Sequence, residues 1–269
     1  MFTIDRGLTY LASQQRADGS FAGEGSQAPA ITSLAIMAFL SRGHIPGQGP
    51  YGTLLNKSID WVLLQQQPNG QLAPNNQNAM YNHGICTIML CEVYAMTDSA
   101  RQKRIQTALA AALRLIIVSQ RIEKSAESQG GWRYTATAND SDISVTGWQL
   151  MALRGAGNRG AAMPAASLRD GLAYILRLSG PSGGYGYVSA LDPTPARTGV
   201  GVLALELLGQ HHHPSSIAGG DYLLSHPPLK SEHIPYFYYA AYYCSQAVNQ
   251  LGGKYWTNIY YPLRDSLLT

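Results

Sequence analysis

A two-part phrase recurs four times along this 269-residue chain and constrains its fold more than any other feature. Each copy begins with a short amphipathic stretch that leads into a glycine, one further residue and a bulky apolar side chain. Successive turn glycines are 51, 60 and 53 residues apart. Self-similarity at such a period indicates stacked supersecondary units, so we predict that these glycines lie at equivalent turns. The four turns are Gly19-Ser20-Phe21, Gly70-Gln71-Leu72, Gly130-Gly131-Trp132 and Gly183-Gly184-Tyr185.

The second part of each phrase is a longer apolar stretch of helical period. It opens on a threonine or histidine followed by a small residue, and in three of the copies a glycine follows 11 residues later, at Gly43, Gly157 and Gly209. Such a stretch is three helical turns long and ends at a typical glycine stop. No strict apolar–polar alternation predicts strands. The opening pairs are Thr32-Ser33, His83-Gly84, Thr146-Gly147 and Thr198-Gly199.

The repeat predicts an all-α fold in which helical hairpins close into an α/α toroid, with the more apolar second helices inside. We expect one domain over residues 1–269, with hairpins near 1–43, 54–97, 105–157, 168–209 and 217–251. The residues from 255 onwards have the pattern of the first helix of a sixth hairpin, and the sequence then ends. We therefore expect the toroid to lack its last inner helix.

Composition excludes several classes of function. Only 13% of the residues are charged, the net charge is +3, and no block of like charges suggests nucleic-acid binding. No apolar run is long enough for a transmembrane segment, and the first residues lack the pattern of a signal peptide. Three cysteines without a C-x-x-C pair favour a reducing compartment, so we expect a cytoplasmic protein.

The turns resemble the Gln–Trp repeats of the squalene–hopene cyclase and protein prenyltransferase superfamily. The residues that carry the resemblance are Gln15-x-x-x-Gly19-x-Phe21, Gln66-x-x-x-Gly70-x-Leu72 and Gly131-Trp132-Arg133-Tyr134, and it extends over the whole chain. The most similar branch is that of bacterial squalene-cyclase-like repeat proteins of unassigned function. The resemblance implies the toroid fold and functional groups near the amino-terminal ends of the inner helices.

Asp140 and Asp142 are the candidate catalytic residues that this resemblance implies. They stand where cyclases of the superfamily place an Asp-x-Asp-Asp motif, although Ile143 occupies the fourth position. A desolvated carboxyl group kept protonated by its neighbours can protonate an alkene. The alternative is that Asp142 or Ser144 caps the helix that follows.

The candidate ligand-binding residues lie near the predicted starts of inner helices or belong to the aromatic set. No Asp-x-Cys pair occurs, and His83 with Cys86 would supply only two metal ligands, so we expect neither a metal nor a cofactor. A tyrosine-rich stretch can line a cavity or simply pack. The ligand-binding candidates are His83, Arg197, Tyr236, Tyr238, Tyr239 and Trp132.

Two functional hypotheses follow from these residues. The first is a non-catalytic module that binds a ligand or a partner protein at the toroid mouth, which the incomplete acid motif favours. The second is an isoprenoid cyclase that acts on squalene or a polyprenyl chain with Asp142 as its general acid, or a related prenyltransferase-like enzyme. The expected partner is a hydrophobic or isoprenoid-like small molecule, or a protein, and not a nucleic acid.

Overall fold

The computed structural model describes residues 2–21, 27–229 and 236–268. The chain is 64% helical. Within the described residues no strand forms, and only three isolated bridges occur, at Gln15–Phe21, Trp132–Asp142 and Ser179–Tyr185. The all-α prediction is confirmed.

The helices follow the hairpin order that the repeat predicts. No helix in the described ranges is long and apolar enough to cross a membrane. A 3₁₀ turn, Tyr94–Met96, follows the fourth helix, and a π-helical turn, Trp256–Tyr260, follows the eleventh. The α-helices are α1 (Phe2–Ser13), α2 (Ala28–Ser41), α3 (Gly52–Leu64), α4 (Ala79–Val93), α5 (Ser99–Gln120), α6 (Ile143–Asn158), α7 (Ala165–Arg177), α8 (Pro195–Leu207), α9 (Pro214–Ser225), α10 (Phe237–Leu251), α11 (Gly253–Tyr255) and α12 (Tyr261–Leu268).

Residue contacts divide the chain into two compact units. The first unit consists of Met1–Ile122, Arg133–Ala138 and Gly155–Met163. The second unit consists of Glu123–Trp132, Asn139–Arg154 and Pro164–Thr269. The single-domain organisation stays a prediction.

The four turn glycines are equivalent, as the repeat predicts. Each has a positive φ, between +83° and +98°, a conformation that favours glycine. Each also lies against the backbone of the next outer helix, so that an added Cβ would stand within 2.6 Å of a carbonyl oxygen. Both constraints therefore require glycine. The four oxygens belong to Lys57 of α3, Ala111 of α5, Asp170 of α7 and Ala218 of α9.

The bulky residue of each turn is tied to the inner helix that follows by one buried hydrogen bond. In all four copies its backbone N–H donates to the side chain of the threonine or histidine that opens the apolar stretch, with a donor–acceptor distance of 3.0 Å. We call this arrangement the repeat joint. It satisfies a buried backbone donor that would otherwise cost about 1–3 kcal/mol. The pairs are Phe21–Thr32, Leu72–His83, Trp132–Thr146 and Tyr185–Thr198.

The glutamine at the end of an outer helix braces the same turn. Gln15 Nε2 donates to the carbonyl of Leu54, at 2.9 Å, and to that of Gly19, at 3.4 Å. Gln66 Nε2 repeats this with the carbonyls of Ala108 and Gly70, at 2.9 and 3.0 Å. The glutamine thus links its own turn to the next outer helix, which explains its place in the phrase.

His83 takes the place of threonine in the second repeat joint. Its Nδ1 accepts from Leu72 N–H at 3.0 Å, so Nε2 carries the proton and donates to the Ala112 carbonyl at 3.1 Å. The ring is fully buried, and burial lowers the pKa of His83 from 6.5 to about 4. The histidine is therefore neutral and structural, and backbone groups occupy both of its ring nitrogens.

Replacing Gly70 by alanine should destabilise the first unit more than the same change at Gly43. Both have positive φ, +93° and +86°, but only Gly70 faces a backbone oxygen, whereas a Cβ at Gly43 meets nothing within 4 Å. Left-handed backbone costs roughly 1–2 kcal/mol in either variant, and the clash adds to this at Gly70 alone. Urea denaturation measures the free energy of unfolding of both variants. Equal losses would contradict the close contact of Gly70 with the next outer helix.

His83→Thr should remove part of the acid sensitivity of the fold. Between pH 6.5 and about 4 the unfolded histidine binds a proton that the folded one does not, so stability is lost as the pH falls through this window. The difference between the pKa values of the unfolded and the folded His83 corresponds to roughly 3 kcal/mol of folding stability. Denaturation at pH 7 and pH 4.5 should show a smaller fall for the variant than for the wild type. Equal falls in stability of the two proteins would contradict the lowered pKa of His83.

Candidate functional site

Three helices of the second unit pack unusually closely and define one end of it. A Cβ added to Gly147 of α6 would lie 2.4 Å from Val200 Cγ1 of α8, and one added to Gly199 of α8 would lie 2.9 Å from the Cys244 backbone nitrogen of α10. The second residue of the opening pair is therefore small because neighbouring inner helices touch there.

The helices α6 and α8 begin at the same end of the second unit. Gly147 and Val200, which meet, are the fifth and sixth residues of their helices, and the Ile143 N–H at the start of α6 donates to the Tyr187 carbonyl at 3.0 Å. Tyr187 belongs to the segment that leads into α8. The segments that precede these two helices are therefore neighbours.

Those two segments are longer than their counterparts in the first unit. From the bulky turn residue to the acceptor of the repeat joint, the spacing is 11 residues in the first two copies but 14 and 13 in the third and fourth. Since the joint fixes both ends, the additional residues must project from it. Asp140 and Asp192 lie on these segments, each six residues before its threonine, Thr146 or Thr198.

Both aspartates are exposed and have cations nearby. Lys124 is half-buried, which lowers its pKa, and the Asp140 carboxylate opposes that shift. Arg197 donates through Nη1 to the Asp192 carbonyl at 2.6 Å, and its guanidinium lies 5.2 Å from the Tyr187 ring centroid. The segment before α8 thus carries Asp192 with a guanidinium and an aromatic ring, and Asp140 lies on the neighbouring segment before α6.

Asp142, the predicted general acid, instead begins helix α6. Its Oδ1 accepts the backbone N–H groups of Ser144 and Val145, at 2.8 and 3.0 Å, and the Ser144 hydroxyl at 2.5 Å. Its own N–H donates to the Trp132 carbonyl at 2.9 Å, and the residue is completely buried. These are the contacts of a helix cap, the alternative that the sequence left open.

The other predicted ligand-binding residues differ in exposure, and Tyr239 and Arg197 are only partly buried. Trp132 is 1% exposed and forms a repeat joint, and Tyr239 packs on Tyr243 with ring centroids 4.8 Å apart. Tyr236 and Tyr238 are exposed at the start of α10. Arg197, Tyr236 and Tyr238 therefore remain available to a ligand.

Among the described residues no group of three or more His, Cys, Asp or Glu side chains could hold a metal ion. The Ser33 hydroxyl lies 3.3 Å from the buried Cys86 Sγ, and burial raises the pKa of that thiol to about 12. Cys86 is therefore an unreactive core thiol.

Asp192 and Tyr187 were not among the residues selected from the sequence. Counting back from the opening threonine by four residues singles out Asp142, whereas counting back by six pairs Asp140 with Asp192. The extended spacing of the third and fourth copies was the available signal for this pair.

Comparison with known proteins gives matches of structure alone. No family model matches the chain, and no curated protein matches its sequence. The GH76A α-1,6-mannanase of Salegentibacter sp. HEL1_6 matches with a TM-score of 0.65 at 10% identity, over 96% of this chain and 83% of that one. An inactive variant of the same enzyme, with two adjacent aspartates replaced by asparagine and α-1,6-mannotriose bound, matches with a TM-score of 0.66 at 11% identity over the same shares.

The chain has the α/α toroid fold. These neighbours are glycoside hydrolases, which overturns both functional hypotheses from the sequence: a non-catalytic module that binds at the toroid mouth, and an isoprenoid cyclase or prenyltransferase-like enzyme. Their ligand is an oligosaccharide, so the expectation of a hydrophobic or isoprenoid-like ligand is not supported. Membership of the squalene-cyclase-like superfamily and a cytoplasmic location stay predictions.

Asp142→Ala should reduce stability, because the change removes the acceptor for two backbone N–H groups at the start of α6. We expect a loss of about 1–2 kcal/mol in the free energy of unfolding. Asp142→Asn is the matched control, since its amide oxygen can accept the same bonds, and it should retain most of the stability. If both variants lose equally in thermal and urea denaturation, the residue has a role other than capping.

Proposed function

We propose that this protein is a glycoside hydrolase that acts on an oligosaccharide of mannose. The observation that carries the proposal is the pair Asp140 and Asp192, two exposed carboxylates at equivalent positions on adjacent segments of the second unit. The likeness of the chain to α-1,6-mannanases supports it, and α-1,6-linked mannan is the first substrate to test.

Glycoside hydrolysis needs two carboxyl groups on opposite sides of the scissile bond. One protonates the leaving glycosidic oxygen, while the other either removes a proton from the attacking water or attacks the anomeric carbon itself. Water is added across the carbon–oxygen bond, and each product sugar keeps a hydroxyl. Asp140 and Asp192 supply the two groups, and the Arg197 guanidinium and the Tyr187 ring beside Asp192 supply contacts for the sugar.

The two carboxylates come from different segments of the chain, and no two aspartates are adjacent anywhere in this sequence. The inactive mannanase variant, in contrast, replaces two adjacent aspartates. The separation of the two carboxyl groups decides the stereochemistry, since inverting enzymes hold them about 6.5–9.5 Å apart and retaining enzymes about 5–5.5 Å apart. The anomeric configuration of the first product therefore reports this separation.

Asp140→Asn and Asp192→Asn should each abolish hydrolysis of α-1,6-mannooligosaccharides without unfolding the protein. Loss of a positioned acid or base lowers the rate by about 100-fold or more. Asp265→Asn is the matched control, since Asp265 is exposed and, among the described residues, forms its ion pair with its sequence neighbour Arg264; it should keep the wild-type rate.

Product release by chromatography gives the rates, circular dichroism gives the fold, and NMR of the first product gives its anomeric configuration. A wild-type protein that hydrolyses no mannooligosaccharide would overturn the substrate assignment. Activity that survives in either variant would overturn the assignment of the pair.

A further inference from the structure

The start of α10 exposes two aromatic rings. Tyr236 is 83% exposed and Tyr238 is 74% exposed, whereas Tyr243 on the same helix is completely buried. Side chains of this size commonly bury much of their apolar surface, so two exposed rings two residues apart are an unusual feature of the second unit. The ring of Tyr238 also has a fixed neighbour, since Phe237 packs against it edge-on with centroids 5.2 Å apart.

The backbone also holds Tyr236 in an uncommon conformation. Its φ is +58° and its ψ is +43°, in the left-handed region, directly before the first residue of α10. That conformation is unfavourable for any residue that carries a Cβ, because the Cβ comes too close to the following carbonyl oxygen. The ring gains little burial in return, since Tyr236 is the most exposed large apolar side chain among the described residues.

The two rings lie at the same end of the second unit as Asp192. The Cys244 thiol of α10 contacts the carbonyl of Pro195, the first residue of α8, at 3.2 Å. Tyr238 precedes Cys244 by six residues, which is about 9 Å along a helix. With α10 running in the same direction as α8, as the repeat order requires, Tyr238 stands beyond the start of α8, where the segment that carries Asp192 also lies.

We propose that Tyr236 and Tyr238 form a sugar-stacking subsite that holds the oligosaccharide chain beyond the bond to be cleaved. The inference rests on the proposed function and names where further units of that substrate bind. A pyranose has a flat apolar face of C–H groups that packs on an aromatic ring, while its hydroxyls can bond the tyrosine hydroxyls and Arg197. A protein partner would need about 800 Å² of surface on each side, far more than two rings provide.

The subsite predicts a dependence on chain length. A disaccharide that spans only the cleaved bond does not reach the tyrosines, whereas a hexasaccharide does. Removing the Tyr238 ring should therefore weaken binding of long oligosaccharides by roughly 3- to 10-fold, which is the value of one aromatic contact, and leave disaccharide binding unchanged.

Binding is best measured by calorimetry in the Asp140→Asn protein, which should not consume its ligand, with α-1,6-mannooligosaccharides from disaccharide to hexasaccharide. Into this protein we would introduce Tyr238→Ala, Tyr238→Phe and Tyr236→Gly; the glycine removes a ring without straining the left-handed backbone. Tyr10→Ala is the matched control, since Tyr10 is 67% exposed on α1 of the first unit. We expect weaker hexasaccharide binding in the alanine and glycine variants and near-parental binding in the phenylalanine variant and the control.

The outcomes separate this inference from the proposed function. Unchanged hexasaccharide binding in both Tyr238→Ala and Tyr236→Gly, or an equal loss in the Tyr10→Ala control, overturns the subsite alone. Length-dependent binding that needs Tyr238, in a protein whose wild type hydrolyses nothing, upholds the subsite and overturns the proposed hydrolysis. Absence of both binding and hydrolysis overturns both proposals.

Discussion

The rest of the structure depends on one short contact, the hydrogen bond from a turn backbone N–H to a side chain on the following helix. It occurs four times at 3.0 Å, and each time it closes a turn whose glycine lies against the next outer helix. The bond satisfies a buried donor and links the backbone of the bulky turn residue to the inner helix. Threonine and histidine can both occupy this position because the joint requires an acceptor and not a particular side chain.

Most of the fold could be predicted because the repeat encodes these contacts locally. Three of these contacts require a particular residue type at a fixed spacing: a glycine with positive φ, a glutamine that braces the turn, and a small residue where helices touch. Element order and helix content could therefore be predicted from the sequence. The acceptor role of His83 could not be predicted, because a histidine at the opening position is equally compatible with a ligand site. Only the structure shows that Leu72 and Ala112 occupy both ring nitrogens.

The candidate site was harder to predict because its residues lie outside the turns and opening pairs that recur in all four copies. The sequence drew attention to Asp142, where a carboxylate breaks the symmetry of the four copies, but a buried carboxylate that accepts two backbone N–H groups caps its helix. Exposure distinguishes Asp140 from Asp142, and exposure is a property of tertiary packing that spacing alone does not give. Asp192 was missed for a related reason, since its equivalence to Asp140 is visible only when the joint threonines define the register.

The repeat joint also determines where this fold can acquire a function. Residues within the joint must supply an acceptor for the backbone N–H, and residues at the helix contacts must remain small, so packing restricts the choice of residue in both sets. The segment between the bulky residue and its acceptor is anchored at both ends, and its length differs between copies. The two partners are 11 positions apart in the first unit and 13 or 14 positions apart in the second. The exposed Asp140 and Asp192 lie on these longer segments, each six residues before its joint threonine, so the two copies with additional residues are also the two that carry these carboxylates.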